Sequence, residues 1–257
     1  MNIIDALVFA IVEGITEFLP ISSTGHLILT SKLISLDQTE FLKTFEIFIQ
    51  LGAILSVIVL YKDLLMKNRL VWRNILAGFL PTAIIGFVLF KIIKTFLLGN
   101  LYVTLIALFL GGVLLIFLEK LHKPKSSDIA TIDKLSIKTS ILIGLCQSVS
   151  VIPGVSRSAA SILGAMFLGV KRETAVEYSF LLAIPTMLAA SGLDLVKSEF
   201  DFSANELTVL FVGFMGSFIV ALLAVKYFIK YIRKHSFAVF GMYRIVLALV
   251  FWLLVIR

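Results

Sequence analysis

Residues 13–27 read EGITEFLPISSTGHL, and this polar stretch decides how the rest of the chain is interpreted. It holds two carboxylates, Glu13 and Glu17, followed by three hydroxyls and an imidazole, between apolar flanks. An ionisable side chain at membrane depth costs about 2.5–3.5 kcal/mol on insertion scales, so such residues are usually functional. The best-matched partner is PGVSRS at residues 153–158. We expect the two stretches to meet in one site.

The composition is that of a polytopic membrane protein. Of 257 residues, 60% are hydrophobic and 15% are charged, and the mean hydropathy is +1.06. Soluble domains average about 45–50% apolar and about 25% charged residues. We therefore expect one bundle of helices in place of several soluble domains. The lone Cys146 excludes an internal disulfide and disfavours a cysteine-based metal site.

The chain begins with an apolar run, residues 3–12, that is too short to cross a bilayer, which needs about 20 apolar residues. The acids Asp5, Glu13 and Glu17 also argue against a cleaved signal peptide. A short apolar run that ends in acids and Pro20 predicts a half-helix that dips into the membrane. Non-helical backbone at that depth needs surrounding protein or a water-filled cavity.

Six longer apolar runs each have about the length of a transmembrane helix. They are residues 41–61, 74–93, 101–118, 174–196, 207–228 and 237–255. Between the third and the fourth lies a second interrupted segment, residues 137–168, which contains Pro153 and Gly154. A broken segment followed by three spans thus occurs twice along the chain. This predicts an all-α integral membrane protein with six transmembrane helices and two re-entrant helical hairpins.

The same order indicates an internal repeat. When Pro20 is set on Pro153, Ser23 aligns with Ser156, and an acid on the next span keeps its approximate place at Glu46 and Glu177. Because each half crosses the membrane an odd number of times, the halves are expected to be inverted, with the hairpins meeting near the midplane. Chance similarity between two apolar, serine-rich stretches is the alternative.

The predicted domain organisation is one membrane domain over residues 1–257. Repeat one covers about residues 1–118 and repeat two about 137–257, and a basic cytoplasmic loop, residues 119–136, joins them.

The basic residues predict the orientation. Fifteen of the 23 Lys and Arg residues lie in loops on one side, at residues 62–73, 120–138, 171–172 and 226–234. We assign that side to the cytoplasm. The stretch at 13–27 then enters from the outer face, and the site opens toward that face.

Motifs of several other protein classes are missing from the sequence. There is no G-x-x-x-x-G-K-[ST], G-x-G-x-x-G or H-E-x-x-H pattern, which disfavours a P-loop, a dinucleotide site and a zinc protease. The basic loops lack interleaved aromatic residues, so we expect no nucleic-acid partner.

Glu13 and Glu17 are four residues apart and would share one face of a helix. Two like charges in a dry site repel each other, and a cation between them removes the repulsion. Oxygen-rich sites suit Mg²⁺ or Ca²⁺, so we predict that both acids bind a divalent cation. The alternative is a carboxylate pair satisfied by hydroxyls and backbone amides.

The hydroxyls of Ser22, Ser23 and Thr24 follow the helix-breaking Pro20. They suit the N-cap of a second half-helix, whose amides would favour an anion. Capping alone does not explain His26, since a hydroxyl becomes a useful nucleophile only beside a base, and a Ser–His pair is a common solution. A hydrogen-bonded packing role for His26 is the alternative.

Arg157 is the natural phosphate ligand, because a guanidinium offers planar, bidentate donors. The alternative is that it only neutralises Glu13 or Glu17. Gln147, shortly before Pro153, could face the same cavity.

Three polar residues inside the predicted spans, Glu46, Gln50 and Arg244, receive no role from the sequence. For Arg244 the sequence does not identify a partner.

Together these groups suit phosphoryl transfer: an Arg and a metal neutralise phosphate oxygens, a hydroxyl attacks in line, and His moves a proton. Without a nucleotide motif, hydrolysis is favoured over a kinase reaction. A substrate that enters a membrane-embedded cavity is expected to carry a lipid tail.

The motifs EGITEFLPISSTGHL (13–27) and PGVSRSAAS (153–161) resemble those of the undecaprenyl-diphosphate phosphatase family, the bacitracin-resistance membrane phosphatases. Further resemblance covers FEIFIQLGAIL (45–55), GLCQ (144–147), EYSFLLAIPTM (177–187) and MYRI (242–245). It implies removal of the terminal phosphate from undecaprenyl diphosphate, which recycles the lipid carrier for peptidoglycan synthesis and confers bacitracin resistance. It also implies inverted repeats with two re-entrant hairpins, in the inner (plasma) membrane of a bacterial cell.

By motif position, the resemblance implies that Glu17, Ser23, His26 and Arg157 are catalytic. Ser23 would be the nucleophile and His26 an acid or base, and Glu13 would join Glu17 at the metal. The predicted phosphate-binding residues, including Gln147 from its spacing, are Ser22, Thr24, Ser156, Ser158 and Gln147.

Two residues depart from the family pattern, Ala159 in place of a common Gly and Tyr178 in place of a usual Phe. Whether His26 or a Glu deprotonates Ser23 is left open by the spacing.

Two other function classes are consistent with the same pattern. Inverted repeats with broken helices are also a transporter architecture, so a flippase of a polyprenyl phosphate lipid is the main alternative. An assembly subunit of a cell-wall complex is the other. The oligomeric state is open, with a homodimer among the alternatives.

Overall fold

The computed structural model describes residues 1–37, 39–97, 100–122, 128–197 and 202–255, and their regular secondary structure is helical. An isolated bridge between Ile129 and Val170 is its only β pairing. The eleven α-helices of this part of the chain are α1 Ile3–Thr16, α2 Ser23–Leu33, α3 Glu40–Leu60, α4 Lys62–Lys67, α5 Arg69–Ile92, α6 Leu101–Leu121, α7 Ile137–Ser148, α8 Arg157–Phe167, α9 Arg172–Lys197, α10 Ala204–Ile232 and α11 Ala238–Val255. The all-α prediction is confirmed.

Five helices are long and apolar enough to cross a membrane, namely Glu40–Leu60, Arg69–Ile92, Leu101–Leu121, Arg172–Gly192 and Ala204–Ile232. They coincide with five of the six predicted spans. The sixth predicted span, residues 237–255, forms α11, whose apolar part is shorter. The protein is therefore a helical bundle with the composition of a multi-pass membrane protein.

Both interrupted segments form two helices joined by a turn. Helix α1 ends at Thr16, and α2 begins after Ser22, a non-glycine residue with a φ of 71° whose side chain accepts a hydrogen bond from the Gly25 amide. In the second segment, a 3-10 turn over Val149–Val151 and Gly154 with a φ of 91° separate α7 from α8. The helix breaks lie where the prolines predict them.

Close approaches at glycines hold the helices together. Helix α1 packs on α10, where a Cβ at Gly14 would come within 2.9 Å of the Val220 side chain and the Ala221 backbone. Helix α7 packs on α5, where Gly144 lies against the carbonyl of Gly78. Small residues at such crossings let backbones approach, as is common between membrane helices. These contacts pack α1 against α10 and α7 against α5. They therefore hold the turn after α1 and the turn after α7 in the interior.

Candidate active site

The first hairpin aims Ser23 at a carboxylate. Ser22 caps α2, which places Ser23 at its first residue, buried and facing back toward the end of α1. The Ser23 hydroxyl donates a short hydrogen bond to Oε2 of Glu17. Glu17 follows the last residue of α1 and keeps helical dihedral angles, with its amide bonded to the Glu13 carbonyl at 2.9 Å. The predicted nucleophile therefore has an acidic partner, and that partner is a Glu.

The other oxygen of Glu17 faces the second hairpin. Nη2 of Arg157 lies 3.3 Å from Oε1 of Glu17, and Nη1 donates to the Ser179 carbonyl at 3.0 Å. Both side chains of the ion pair are largely buried, with relative exposures of 11% for Arg157 and 5% for Glu17. Nε of Arg157 has no hydrogen-bond partner among the described residues. The structure thus brings together the predicted acid and the predicted phosphate ligand, with one guanidinium donor free.

Two serines tie the hairpins to each other. The Ser158 hydroxyl donates to the Leu19 carbonyl at 2.7 Å, and Ser156 reaches the same oxygen at 3.4 Å. Ser156 also caps α8 by accepting the Ala159 amide at 3.1 Å. Both residues belong to the predicted phosphate-binding set, and in the structure they lock the two turns together.

His26 lies on the first turns of α2, and both of its ring nitrogens are engaged. Nδ1 is 2.8 Å from the Ser22 carbonyl oxygen, and Nε2 is 2.8 Å from the Tyr243 hydroxyl. Neither bond is to Ser23. The Tyr243 ring lies parallel to the imidazole, at 5.6 Å between centroids and 8° between planes.

Glu13 is fully buried one helical turn before Glu17. No hydrogen-bond donor of the described residues reaches either of its carboxylate oxygens. It lies within electrostatic range of Glu17 and Glu46, and of the opposite charge on Arg157. Oε1 of Glu46, on α3, is also buried without a hydrogen-bond partner in the described part of the chain. A buried, donor-poor acidic cluster, Glu13 with Glu46, therefore adjoins the Ser23–Glu17–Arg157 group.

Arg244, whose partner the sequence does not identify, is 99% buried behind both turns. Its guanidinium donates to backbone carbonyls of Pro20 at 3.3 Å and Gly154 at 3.0 Å, one in each hairpin. Further bonds reach Ala107 at 3.1 Å and Leu108 at 3.3 Å on α6. One buried cation therefore fastens both turns to a long helix.

Two predicted site residues lie apart from this group. The Thr24 side chain is exposed, unlike those of Ser22 and Ser23. Gln147 is fully buried, but its amide donates to the hydroxyls of Thr82 at 3.0 Å and Thr186 at 3.1 Å, which links α7 to α5 and α9. The spacing before Pro153 indicated proximity to the turn, yet it does not specify the helix face that a side chain occupies.

Two groups in the site were not singled out from the sequence: Tyr243, and the Leu19 carbonyl that receives Ser158. The only available signal for Tyr243 was its place in the MYRI motif at 242–245. A backbone carbonyl carries no sequence signal at all.

An apolar groove of about 840 Å³ runs along α10 beside the first hairpin. It reaches Ile15 and Leu19, which lie two residues after Glu13 and Glu17, and it continues past Val220 and Phe228. Leu19 belongs to the first turn, where its carbonyl accepts a hydrogen bond from the Ser158 hydroxyl. Its far end is lined by Lys230 and other polar residues. The polar site is therefore bordered by a surface suited to hydrocarbon.

Comparison with known proteins identifies the family. The family model described as "Bacitracin resistance protein BacA" matches residues 6–250. The chain is 50% identical over 246 residues to the undecaprenyl-diphosphatase of Aquifex aeolicus, covering 96% of each chain. It is 48% identical to that of a Sulfurihydrogenibium species, covering 98% of this chain and 99% of the relative. It is 45% identical to that of Persephonella marina over the full length of both. The chain belongs to the BacA family of bacitracin-resistance proteins.

Proposed function

We propose that the protein hydrolyses undecaprenyl diphosphate to undecaprenyl phosphate and inorganic phosphate, the activity named for its relatives. The observation that carries the proposal is Glu17, which accepts the hydroxyl proton of Ser23 on one oxygen and pairs with Arg157 on the other. The Glu17 carboxylate, the proposed base, therefore contacts both the proposed nucleophile and the cation proposed to bind phosphate.

In the first step, Ser23 Oγ attacks the terminal phosphorus and Glu17 takes its proton. The bond from that phosphorus to the bridging oxygen breaks, and the polyprenyl monophosphate leaves with the bridging oxygen. Arg157 neutralises charge on the transferred phosphoryl group, which is the main catalytic need of such reactions. In the second step, water attacks the phosphorus, the bond from phosphorus to the Ser23 oxygen breaks, and both water protons remain on the phosphate. Inorganic phosphate leaves, and the proton held by Glu17 returns to Ser23.

Arg157 now pairs with Glu17 and has an unused Nε–H. A diphosphate that binds the guanidinium would draw it away from Glu17. The Glu17 carboxylate would then be left to the Ser23 hydroxyl, its other hydrogen-bond partner.

The Glu13 carboxylate, unpartnered among the described residues, is what supports a divalent cation at the acidic cluster. In the described part of the chain, His, Cys, Asp and Glu do not gather in groups of three or more that could hold a metal. Mg²⁺, however, is commonly held by one or two carboxylates together with substrate phosphates. Glu13, with both oxygens unpaired, and Glu17 would supply those carboxylates. The bound cation would neutralise phosphate charge. Ca²⁺ usually takes six to eight oxygen ligands, so it fits two carboxylates less well.

The lipid tail of the substrate would lie in the apolar groove. Its Ile15 and Leu19 end borders the polar site, so a diphosphate at Arg157 could extend its chain along α10. This arrangement keeps the tail out of the polar interior, where it would displace hydrogen-bonded groups.

We infer a six-span membrane topology with two re-entrant hairpins in inverted repeats. Part of the helix packing supports it: exchanging α1, α2, α3, α5 and α6 with α7, α8, α9, α10 and α11 maps several of the main packing pairs of the described helices onto one another, whereas the α8–α9 pair has no comparable α2–α3 counterpart. The pair α1–α10 becomes α7–α5, the pair α3–α10 becomes α9–α5, and α6–α11 and α3–α9 map onto themselves. The basic-loop asymmetry supports placing the site toward the outer face of the inner membrane. A homodimer stays a prediction, to be checked by the mass of the detergent-solubilised particle.

The first test is phosphate release from a polyprenyl diphosphate by purified protein with Mg²⁺. We expect turnover by the wild type and a loss of about 10²–10⁴-fold in Ser23→Ala and Glu17→Gln, since each removes a group in proton transfer or attack. Thr24→Ala, at an exposed position beside Ser23, serves as a comparison and should lose less. A wild-type rate in Ser23→Ala would contradict the nucleophile assignment.

The flippase alternative is not favoured. Binding and moving a phosphate would not require a hydroxyl bonded to a carboxylate, as Ser23 is to Glu17.

A further inference from the structure

We propose that Tyr243 is a positioning residue for the reaction, acting on Ser23 through His26 and the Ser22 turn. The inference rests on the proposed function and adds to it a residue on α11, the last helix.

The first step concerns the imidazole tautomer. A carbonyl oxygen can only accept a hydrogen bond, so Nδ1 of His26, at 2.8 Å from the Ser22 carbonyl, must carry a proton. In the neutral ring, Nε2 is then a bare acceptor. The Tyr243 hydroxyl, 2.8 Å away, donates to it. The two bonds together select the Nδ1–H tautomer.

The second step concerns the contacts of the Tyr243 side chain. Its side chain is 44% exposed, so burial of its ring does not account for its place. The ring nevertheless lies parallel to the imidazole, and its hydroxyl meets Nε2 across 217 positions of sequence. Tyr243 therefore fixes both the orientation of the His26 ring and its protonation pattern.

The third step connects the ring to the nucleophile. The Ser22 carbonyl accepts from both Nδ1 of His26 and the His26 amide, the latter at 3.2 Å. Ser22 has a left-handed φ of 71°, which a non-glycine residue keeps only when its surroundings hold it there. That conformation turns the next residue, Ser23, toward Glu17. Releasing the imidazole would loosen the turn and misalign the attack.

The experiment uses full-length protein in detergent with histidine labelled by ¹⁵N. The chain has only three histidines, and His26→Gln identifies the signal of His26. In the wild type we expect the Nδ1–H pattern. An Nε2–H pattern would overturn the proposal without any further variant.

Tyr243→Phe then removes the hydroxyl and keeps the ring, and Tyr102→Phe, at an exposed tyrosine of α6, is the matched control. We expect Tyr243→Phe to lower kcat for phosphate release about tenfold, the value of one lost hydrogen bond, with KM unchanged and the His26 signal shifted. A wild-type kcat in Tyr243→Phe would overturn the proposal, as would a lowered kcat with an unshifted His26 signal. If the wild type released no phosphate, the proposed function would fail, while the tautomer measurement would still decide whether Tyr243 and Ser22 fix the imidazole.

Discussion

At the scale of single residues, the site holds two buried acids that differ in their hydrogen bonds. Glu17 accepts from Ser23 and Arg157, whereas no donor among the described residues reaches Glu13. A buried carboxylate without donors is costly, because it loses its hydration and gains nothing in return. Glu13 is therefore the residue that gains most from a bound cation.

Glu13→Gln tests that role, since it keeps the size of the side chain and removes the charge. We expect the Mg²⁺ concentration for half-maximal phosphate release to rise at least about tenfold. Mg²⁺ should raise the melting temperature of the wild type, and this increase should be smaller in Glu13→Gln. Stability without metal should not fall, because a like charge beside Glu17 has been removed. The exposed Glu173→Gln is the control. A wild-type Mg²⁺ dependence in Glu13→Gln would rule out Glu13 as a metal ligand.

At the scale of helices, the site depends on two short helices, α1 and α7, held against α10 and α5. The α7–α5 crossing is the tighter, because the Gly144 backbone lies against the carbonyl of Gly78. A side chain at either position would push α7 away and move the second turn, which carries Arg157.

Gly144→Ala should therefore lower the melting temperature, corresponding to about 1–3 kcal/mol of overpacking. Gly86→Ala, on α5, is the matched control because no atom lies within 4 Å of an added Cβ there. That variant should keep or raise stability, since Ala favours helix by about 1 kcal/mol over Gly. Equal melting temperatures for the two variants would contradict the importance of the crossing.

The existence of these helices could be predicted, but their limits could not. Proline and glycine mark the breaks near Pro20 and Pro153 because they restrict or relax the backbone locally. Hydropathy covers only the apolar part of a helix, so the predicted span 207–228 is shorter than α10, which begins after the Ser203 cap. Short polar helices such as α4 have no apolar signal and were missed.

At the scale of the whole molecule, Arg244 joins the two hairpins. Its four hydrogen bonds reach both turns and α6, and no carboxylate of the described residues forms an ion pair with it within 4.0 Å. Backbone carbonyls give no indication in the sequence of which cation they will receive. The sequence predicted that the two polar motifs meet. It did not identify a partner for Arg244, the residue that joins them, because that residue bonds to backbone carbonyls. The same limit hid the contact between Tyr243 and His26.

Arg244→Lys is the corresponding prediction. Lysine keeps the charge but offers three donors from one point, so it cannot span all the carbonyls. Each buried carbonyl left unpaired costs about 1–3 kcal/mol. We expect a lower melting temperature and a loss of phosphate release, whereas Arg69→Lys, at an exposed position of α5, should change neither. An Arg244→Lys protein with wild-type stability and turnover would show that the joint is dispensable.

The bonds at the two turns also set an order of events during synthesis. The Leu19 carbonyl accepts a hydrogen bond from Ser158, 139 positions later, and the Pro20 carbonyl accepts one from Arg244, 224 positions later. Neither bond can form until the later residue has been synthesised. The nucleophile-bearing turn is thus synthesised well before the residues that complete its hydrogen bonds. A nascent chain carries an unfinished site until α11 has been inserted, so the activity depends on a helix made long after the nucleophile.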